Sequence, residues 1–319
     1  MKNDVYDFYG RLNKNFPSQI LIDSTEVCNL ACIHCPHPDF KKSKNYDARF
    51  IDPLLNKKLI DEVKKHGKGI TQYIRHASNG EPLIHPNAFD MLDYAVENSG
   101  TLVTLTTNGT ILNEKRILKL LTSGLHMIDI SLDAFNDTTY KKIRVGGDLN
   151  VTRANVEKLL DMIKETQSKT KVIVSFVEQK ENIEEVEEFK NYWLNRGVSD
   201  VLIREQHSCS GAKEEIKFYK NQQKIKRRPC VYPWERIVLN AKGDLSFCPS
   251  DWVHGSYITS YSDNTIKKVW ASNFYKELRN AHLSDNYSKH SFCGNCPDWQ
   301  TTYWPNEKKS YADLIEKNF

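Results

Sequence analysis

Three cysteines fall within one short stretch, Cys28–Asn29–Leu30–Ala31–Cys32–Ile33–His34–Cys35. They stand at i, i+4 and i+7, directly after the β-like run Ile20–Leu21–Ile22–Asp23–Ser24–Thr25. Three thiolates on one loop can each hold one iron of a cubane iron–sulfur cluster. The fourth iron then lacks a protein ligand and stays open to a small chelating molecule. Zinc is the other chemistry such thiols serve, but structural zinc normally closes with four protein ligands. No fourth cysteine lies nearby, and His34 and His37 sit too close to Cys35 to complete a tetrahedron easily.

The rest of the chain limits the setting. Its 319 residues allow one large domain or two smaller ones, and 39% hydrophobic with 27% charged residues is a soluble, core-forming composition. A net charge of +4 is too balanced to imply nucleic acid as a partner. The basic patches Lys41–Lys42–Ser43–Lys44 and Lys224–Ile225–Lys226–Arg227–Arg228 read as solvated loops. No 18-residue apolar run is present, so no membrane span is expected. Met1–Lys2–Asn3–Asp4–Val5–Tyr6 lacks the apolar core of a signal peptide, which points to the cytoplasm. In that reducing compartment, eight cysteines argue for metal or catalysis rather than disulfides.

Strand and helix patterns alternate through the first two thirds. Strands are expected at Ile70–Arg75, Leu102–Thr107, Met127–Leu132, Lys171–Val177 and Asp200–Arg204, and helices at Leu54–Lys65, Ala88–Asn98, Glu114–Leu121, Asn155–Thr166 and Ile183–Arg196. This rhythm predicts an α/β fold, a parallel sheet with right-handed crossovers closing into a partial (β/α)6 TIM-like barrel. Chemistry on such barrels gathers at the carboxyl ends of the strands, where Cys28 to Cys35 fall. After residue 206 the alternation stops. Arg236–Asn240, a Lys242–Gly243–Asp244 turn and Leu245–Cys248 read as a β-hairpin opening a small C-terminal module. The expected organisation is a lead-in over 1–18, the barrel over 19–206, a linker over 207–229 and the C-terminal module over 230–319.

Other strand ends carry polar motifs. In Ser78–Asn79–Gly80–Glu81–Pro82, the glycine permits close backbone approach and Glu81 can accept hydrogen bonds from an ammonium group. Thr106–Thr107–Asn108–Gly109–Thr110 offers hydroxyls and an amide to a ribose. Ser131–Leu132–Asp133 ends the fourth strand, and Arg144 follows on a short helix, its fork suited to gripping a carboxylate. Gln179 and Asn182 are weaker candidates for ribose or substrate contacts. Cys230, Cys248, Cys293 and Cys296, the last two a CxxC pair, could together hold zinc or a [4Fe–4S] cluster. Cys209 is left over, as a buried thiol, a hydrogen-atom donor or a ligand. Arg204, Glu205 and His207, at the end of the sixth strand, are placed to bind substrate or serve as its base; His titrates most readily near neutrality.

Cys28-x3-Cys32-x2-Cys35 resembles the signature of the radical S-adenosylmethionine (SAM) enzymes. The resemblance implies that SAM chelates the open iron and is split to a 5′-deoxyadenosyl radical, which abstracts a substrate hydrogen. Residues 79–82 resemble the family's GGEP motif, which holds the SAM amino group; Asn79 replaces its first glycine. The segments at Thr107–Asn108, Ser131–Asp133 and Arg144 resemble family SAM contacts, and His34 stands where the family often carries an aromatic beside adenine. The later cysteines resemble a SPASM domain in its shortened "twitch" form, with one auxiliary cluster, since no cysteine follows Cys296. In overall build the chain is similar to the 2-deoxy-scyllo-inosamine dehydrogenases of aminoglycoside biosynthesis. Two [4Fe–4S] clusters, SAM and a flavodoxin or ferredoxin electron donor are thereby implied. The expected reaction is oxidation of a hydroxyl on a sugar or cyclitol. The alternative is modification of a peptide, for which residues 1–18 are too short to hold a leader-binding domain. A non-enzymatic zinc module is the third class.

Overall fold

The computed structural model describes residues 10–77, 79–213 and 226–319. Ser78, most of the expected linker, the start of the lead-in, and Lys224 and Ile225 of the second basic patch lie outside the described residues. Strands β1 (Gln19–Ile22), β2 (Tyr73–His76), β3 (Leu102–Thr107), β4 (Met127–Ser131), β5 (Lys171–Glu178) and β6 (Asp200–Glu205) pair in parallel in chain order. They form the expected partial barrel. Helices α2 (Pro53–His66), α3 (Ala88–Asn98), α4 (Glu114–Thr122), α5 (Asp137–Ile143), α6 (Leu149–Thr166) and α7 (Val186–Arg196) lie between strands; a short helix α1 (His37–Phe40) follows the cysteine loop.

Strand alternation sorts the side chains. Ile20, Ile22, Ile74, Val103, Leu105, Ile128, Ile130, Val172 and Val174 are buried in the core outside the barrel. Leu21, Arg75, Thr106, Ser131, Ser175 and Arg204 face the opening inside it. The parity that buries Ile74 therefore delivers Arg75 to the interior.

Several boundaries differ from expectation, and two of them have a clear local cause. Strand β2 begins at Tyr73 because Ile70 and Thr71 are held in a turn, both amides donating to the Gly67 carbonyl. Helix α6 begins at Leu149 because Asp148 caps it, accepting from the amides of Asn150 and Val151.

The C-terminal hairpin forms as expected, from β7 (Arg236–Leu239) and β8 (Asp244–Ser246), with Gly243 at φ 86° in its turn. It does not stand apart. Strand β7 pairs in parallel with β1, Gln19 opposite Arg236, and β9 (Tyr257–Ser260) completes a nine-stranded sheet. Helices α8 (Tyr232–Glu235), α9 (Ile266–Trp270), α10 (Asn273–Ser284) and α11 (Ser291–Asn295) belong to this end. One hydrophobic core runs from Ile20 through Ile237 to Leu278.

Helix α12 (Tyr311–Asn318) closes the barrel from below. Ala312, Leu314 and Ile315 pack on Tyr73, Met127 and Ile173, inward residues near the amino ends of their strands. Burying Leu314 and Ile315 contributes about 3–5 kcal/mol by transfer alone. Ser310 caps the helix, and Arg11 pairs with Asp313 at 2.5 Å. No helix among the described residues is long and apolar enough to cross a membrane.

Candidate active site

A cavity of about 360 Å³ opens over the carboxyl ends of the barrel strands. Its walls bring together Cys28, Cys32, Cys35, His34, Asn79, Gly80, Glu81, Thr107, Asn108, Ser131, Asp133, Arg144, Arg204 and His207. Gln179 and Asn182 stand behind the wall. Asn182 braces the turn, donating to the Asp133 and Val177 carbonyls.

The cysteine loop is held from two sides. Ala31 and Ile33 donate their amides to the carbonyls of Val145 and Ile143. On the other side the Glu81 amide donates to Val27 O at 2.8 Å. The approach there is so close that a Cβ on Gly80 would meet Val27 O at 2.3 Å and Thr25 O at 2.8 Å. Asn79 donates to the Asp251 carbonyl, so the residue that departs from the family motif ties this turn to the C-terminal end.

Glu81 is buried and accepts from the Thr107 hydroxyl at 2.6 Å and the Asn108 amide at 2.8 Å. Burial pushes its carboxyl above the usual range against those bonds. The Asn108 side chain donates to Asn29 in the cysteine loop. Thr107 and Asn108 thus line the cavity with polar groups already committed to Glu81 and Asn29.

Arg144 is buried beside the loop. It pairs with Asp133 at 2.5 Å and donates to Cys32 Sγ at 3.7 Å. Asp133 stands at φ 62°, a left-handed conformation, and accepts from the Val177 amide. His34 Nε2 lies 3.5 Å from Asp133, and burial lowers its pKa to about 4, so the ring is neutral near pH 7.

Below lies a charged floor. Arg75 and Arg204 both bond Asp129 Oδ2 at 2.9 Å, and Ser175 donates to its other oxygen. The Tyr311 ring stacks 3.9 Å from the Arg75 guanidinium. Arg204 faces the cavity, and by strand parity Glu205 points out to solvent, which removes it from the substrate-binding candidates. His207 Nδ1 accepts from the Cys209 amide when the ring is neutral and lies 3.6 Å from Asp298. Burial opposes its cation, but Cys209 and Asp298 raise its pKa to about 10. Cys209 lines the same cavity, near enough to Cys35 to push that thiol up. Sequence reasoning missed Asp23, Arg75, Tyr232, Arg236 and Trp252, which also line it. Strand parity alone would have found Asp23 and Arg75.

The four later cysteines meet at a second cavity of about 30 Å³. Tyr232 and Ser250 line both cavities and form a shared wall. Arg227 donates to the carbonyls of Cys293 and Gly294, and Arg228 pairs with Glu307. That half of the basic patch is structural, whereas Lys41, Lys42 and Lys44 are exposed as expected.

Burial raises the pKa of all seven of these thiols, Cys28 to about 11 and Cys230 to about 12, so any metal or cluster bound there would have to displace their protons. Among the described residues no three His, Cys, Asp or Glu side chains converge on a point that would hold a single metal ion. A tetrahedral zinc needs its sulfurs about 3.8 Å apart. A cubane takes one thiolate per iron, so its ligands stand wider. Both sets, gathered on one cavity wall each, fit clusters.

Two thiol centres on one partial TIM-like barrel are the build of an iron–sulfur enzyme. Residues 22–192 match the radical SAM superfamily, more than half of the chain, and the chain belongs to that superfamily. Residues 230–297 match the SPASM iron–sulfur cluster-binding domain. The cofactors are accordingly SAM, a [4Fe–4S] cluster and auxiliary iron–sulfur. A probable GTP 3′,8-cyclase of Methanococcus maripaludis is 30% identical over 159 residues, 49% of this chain and 48% of that one. The chain spans about half the length of the curated relatives it matches. A structure of BtrN in complex with AdoMet and 2-DOIA superposes with a TM-score of 0.60 at 17% identity, covering 88% of this chain and 92% of that one. Streptococcus suis SuiB bound to precursor peptide SuiA gives 0.66 at 15% identity, covering 95% and 73%. At these identities the likeness is one of fold.

Proposed function

We propose that this radical SAM enzyme is a dehydrogenase-type oxidoreductase acting on a hydroxyl of a small polar substrate, a sugar or cyclitol. In this reading Cys28, Cys32 and Cys35 hold the first [4Fe–4S] cluster, and Cys230, Cys248, Cys293 and Cys296 hold one auxiliary [4Fe–4S] cluster. The carrying observation is the wall of Tyr232 and Ser250 between the two cavities. A substrate in the larger one sits next to a fully ligated centre that can take an electron but offers no open coordination position.

When bound, SAM and its cluster supply the 5′-deoxyadenosyl radical. The residues of this chain orient the reactants. Glu81 would accept from the SAM ammonium group, and Ser131 and Arg144 would hold its carboxylate and ribose. Arg204, a donor only, holds substrate hydroxyls from the floor. Electrons come from a flavodoxin or ferredoxin.

The experiment is anaerobic turnover with candidate polyols. The reading requires one 5′-deoxyadenosine per ketone and no methylated product; regenerated SAM would contradict it. Modification of a peptide is the second reading, favoured by the fold shared with SuiB in complex with its precursor peptide. A peptide product from the same assay would decide for it.

A further inference from the structure

The carboxylates of the main cavity are committed, with one exception. Glu81 is bonded by Thr107 and Asn108, Asp133 by Arg144 and the Val177 amide, and Asp129 by Arg75, Arg204 and Ser175. Asp23, the residue just beyond β1, is 8% exposed and lines the cavity. Its amide donates to Leu239 O, but among the described residues no hydrogen bond or ion pair reaches its carboxyl. An unpaired buried carboxyl costs stability, so its presence on a cavity wall points to a chemical role.

The surroundings keep it unpaired. Asp23 also lines a smaller cavity with Glu26, Lys242, Asp251 and His254. Glu26 is taken by Arg49, and Lys242 leans to Asp244 at 3.6 Å. Asp251 has both oxygens filled by the amides of Val253, Gly255 and Ser256 and by the Ser256 hydroxyl. Asp251 has no donor to spare for Asp23, and its charge disfavours a second negative one beside it. Burial first, and Asp251 second, hold the Asp23 carboxyl well above the ordinary range, which makes its carboxylate a stronger base. The other candidates fit that role poorly. Arg204 has no lone pair to offer. His207 is turned toward Asp298 and the Cys209 amide.

We propose that Asp23 is the catalytic base that accepts the hydroxyl proton of the substrate as its carbon-centred radical becomes a ketone. This rests on the dehydrogenase reading above. The balance is complete. The O–H bond breaks, its proton passes to the Asp23 carboxylate, the C=O π bond forms, and one electron leaves for the auxiliary [4Fe–4S] cluster. Asp23 stands just past the end of the strand shared by both halves of the sheet, since β1 pairs with β2 and with β7.

The test is Asp23→Asn, reconstituted with both clusters and compared with wild type from pH 5 to 9. Substrate-dependent 5′-deoxyadenosine formation should stay within about twofold, while ketone per 5′-deoxyadenosine falls at least tenfold. The wild-type yield should rise with pH through one ionisation above the carboxylate range, and the variant should lack that rise. Asp23→Glu should restore ketone with a displaced pH profile. Undiminished ketone in Asp23→Asn, with the same profile, would overturn the assignment and leave the dehydrogenase reading standing. Absence of ketone in wild type with every polyol would overturn both. If Asp23→Asn fails to hold its clusters, the Asp23→Glu profile decides, and an unmoved profile refutes the role.

Discussion

Gly80→Ala tests whether the cysteine loop and the Glu81 turn are one packed unit. The added Cβ would meet Val27 O at 2.3 Å, Thr25 O at 2.8 Å and Val27 C at 2.8 Å. These are backbone atoms of the loop that leads into Cys28, so none can swing away. Overpacking costs about 1–3 kcal/mol, and immovable partners put this site at the upper end. Separating the two segments also loses the Glu81 amide bond to Val27 O, about 1 kcal/mol. The sum, about 4 kcal/mol, lowers Tm by about 6 °C for a chain of this size. Gly10→Ala is the control, since its Cβ meets nothing within 4 Å among the described residues. Thermal unfolding of the apoprotein reads the stability, and SAM titration of the reconstituted enzyme reads the site. The reasoning requires a large Tm loss and at least tenfold weaker SAM binding in Gly80→Ala alone. A Tm within 1 °C of wild type would refute it.

Three further outcomes follow from named contacts. Ser210 lies 3.5 Å from Cys248 Sγ with its backbone at φ 60°; once Cys248 ligates iron only the hydroxyl can donate. Ser210→Ala, which keeps the strained backbone, and Ser210→Gly, which relaxes it, should both lower the auxiliary cluster potential by on the order of 60 mV, a tenfold one-electron shift, in an EPR-monitored titration. Burial, then His85, holds the His76 pKa at about 4, below the ordinary imidazole value of about 6.5. The unfolded chain therefore takes up the proton first as pH falls, so stability drops between pH 6.5 and 4 by about 3 kcal/mol; urea midpoints of His76→Asn should lack that share. Arg204→Ala should raise substrate KM about 10- to 100-fold, the worth of a charged hydrogen bond, with SAM affinity unchanged.

The sequence revealed what is local. Ligand spacing marked Cys28 to Cys35, and strand periodicity placed β3 at Leu102–Thr107, as observed. Motif residues far apart in the chain, such as Glu81, Ser131 and Arg144, line one cavity because each lies at or beyond the carboxyl end of a strand of the same parallel sheet. What stayed hidden depends on distant pairing. The register of Gln19 with Arg236 merges the C-terminal hairpin into the barrel sheet, and no periodicity announces it. Helix α12 reads as one more amphipathic segment until it meets Tyr73 and Met127 under the barrel. The sharing of Asp129 by Arg75 and Arg204 joins three strands, and Asp23 gains meaning only from the partners it lacks.

The most direct test of the account is metal analysis with EPR on anaerobically reconstituted protein, wild type and a variant with Cys28, Cys32 and Cys35 all replaced by Ala. The account predicts about eight iron and eight sulfide per chain in wild type and about four of each in the variant. It also predicts a reduced-cluster signal that SAM perturbs in wild type and that the variant lacks. Zinc without sulfide, or a wild-type signal indifferent to SAM, would contradict it.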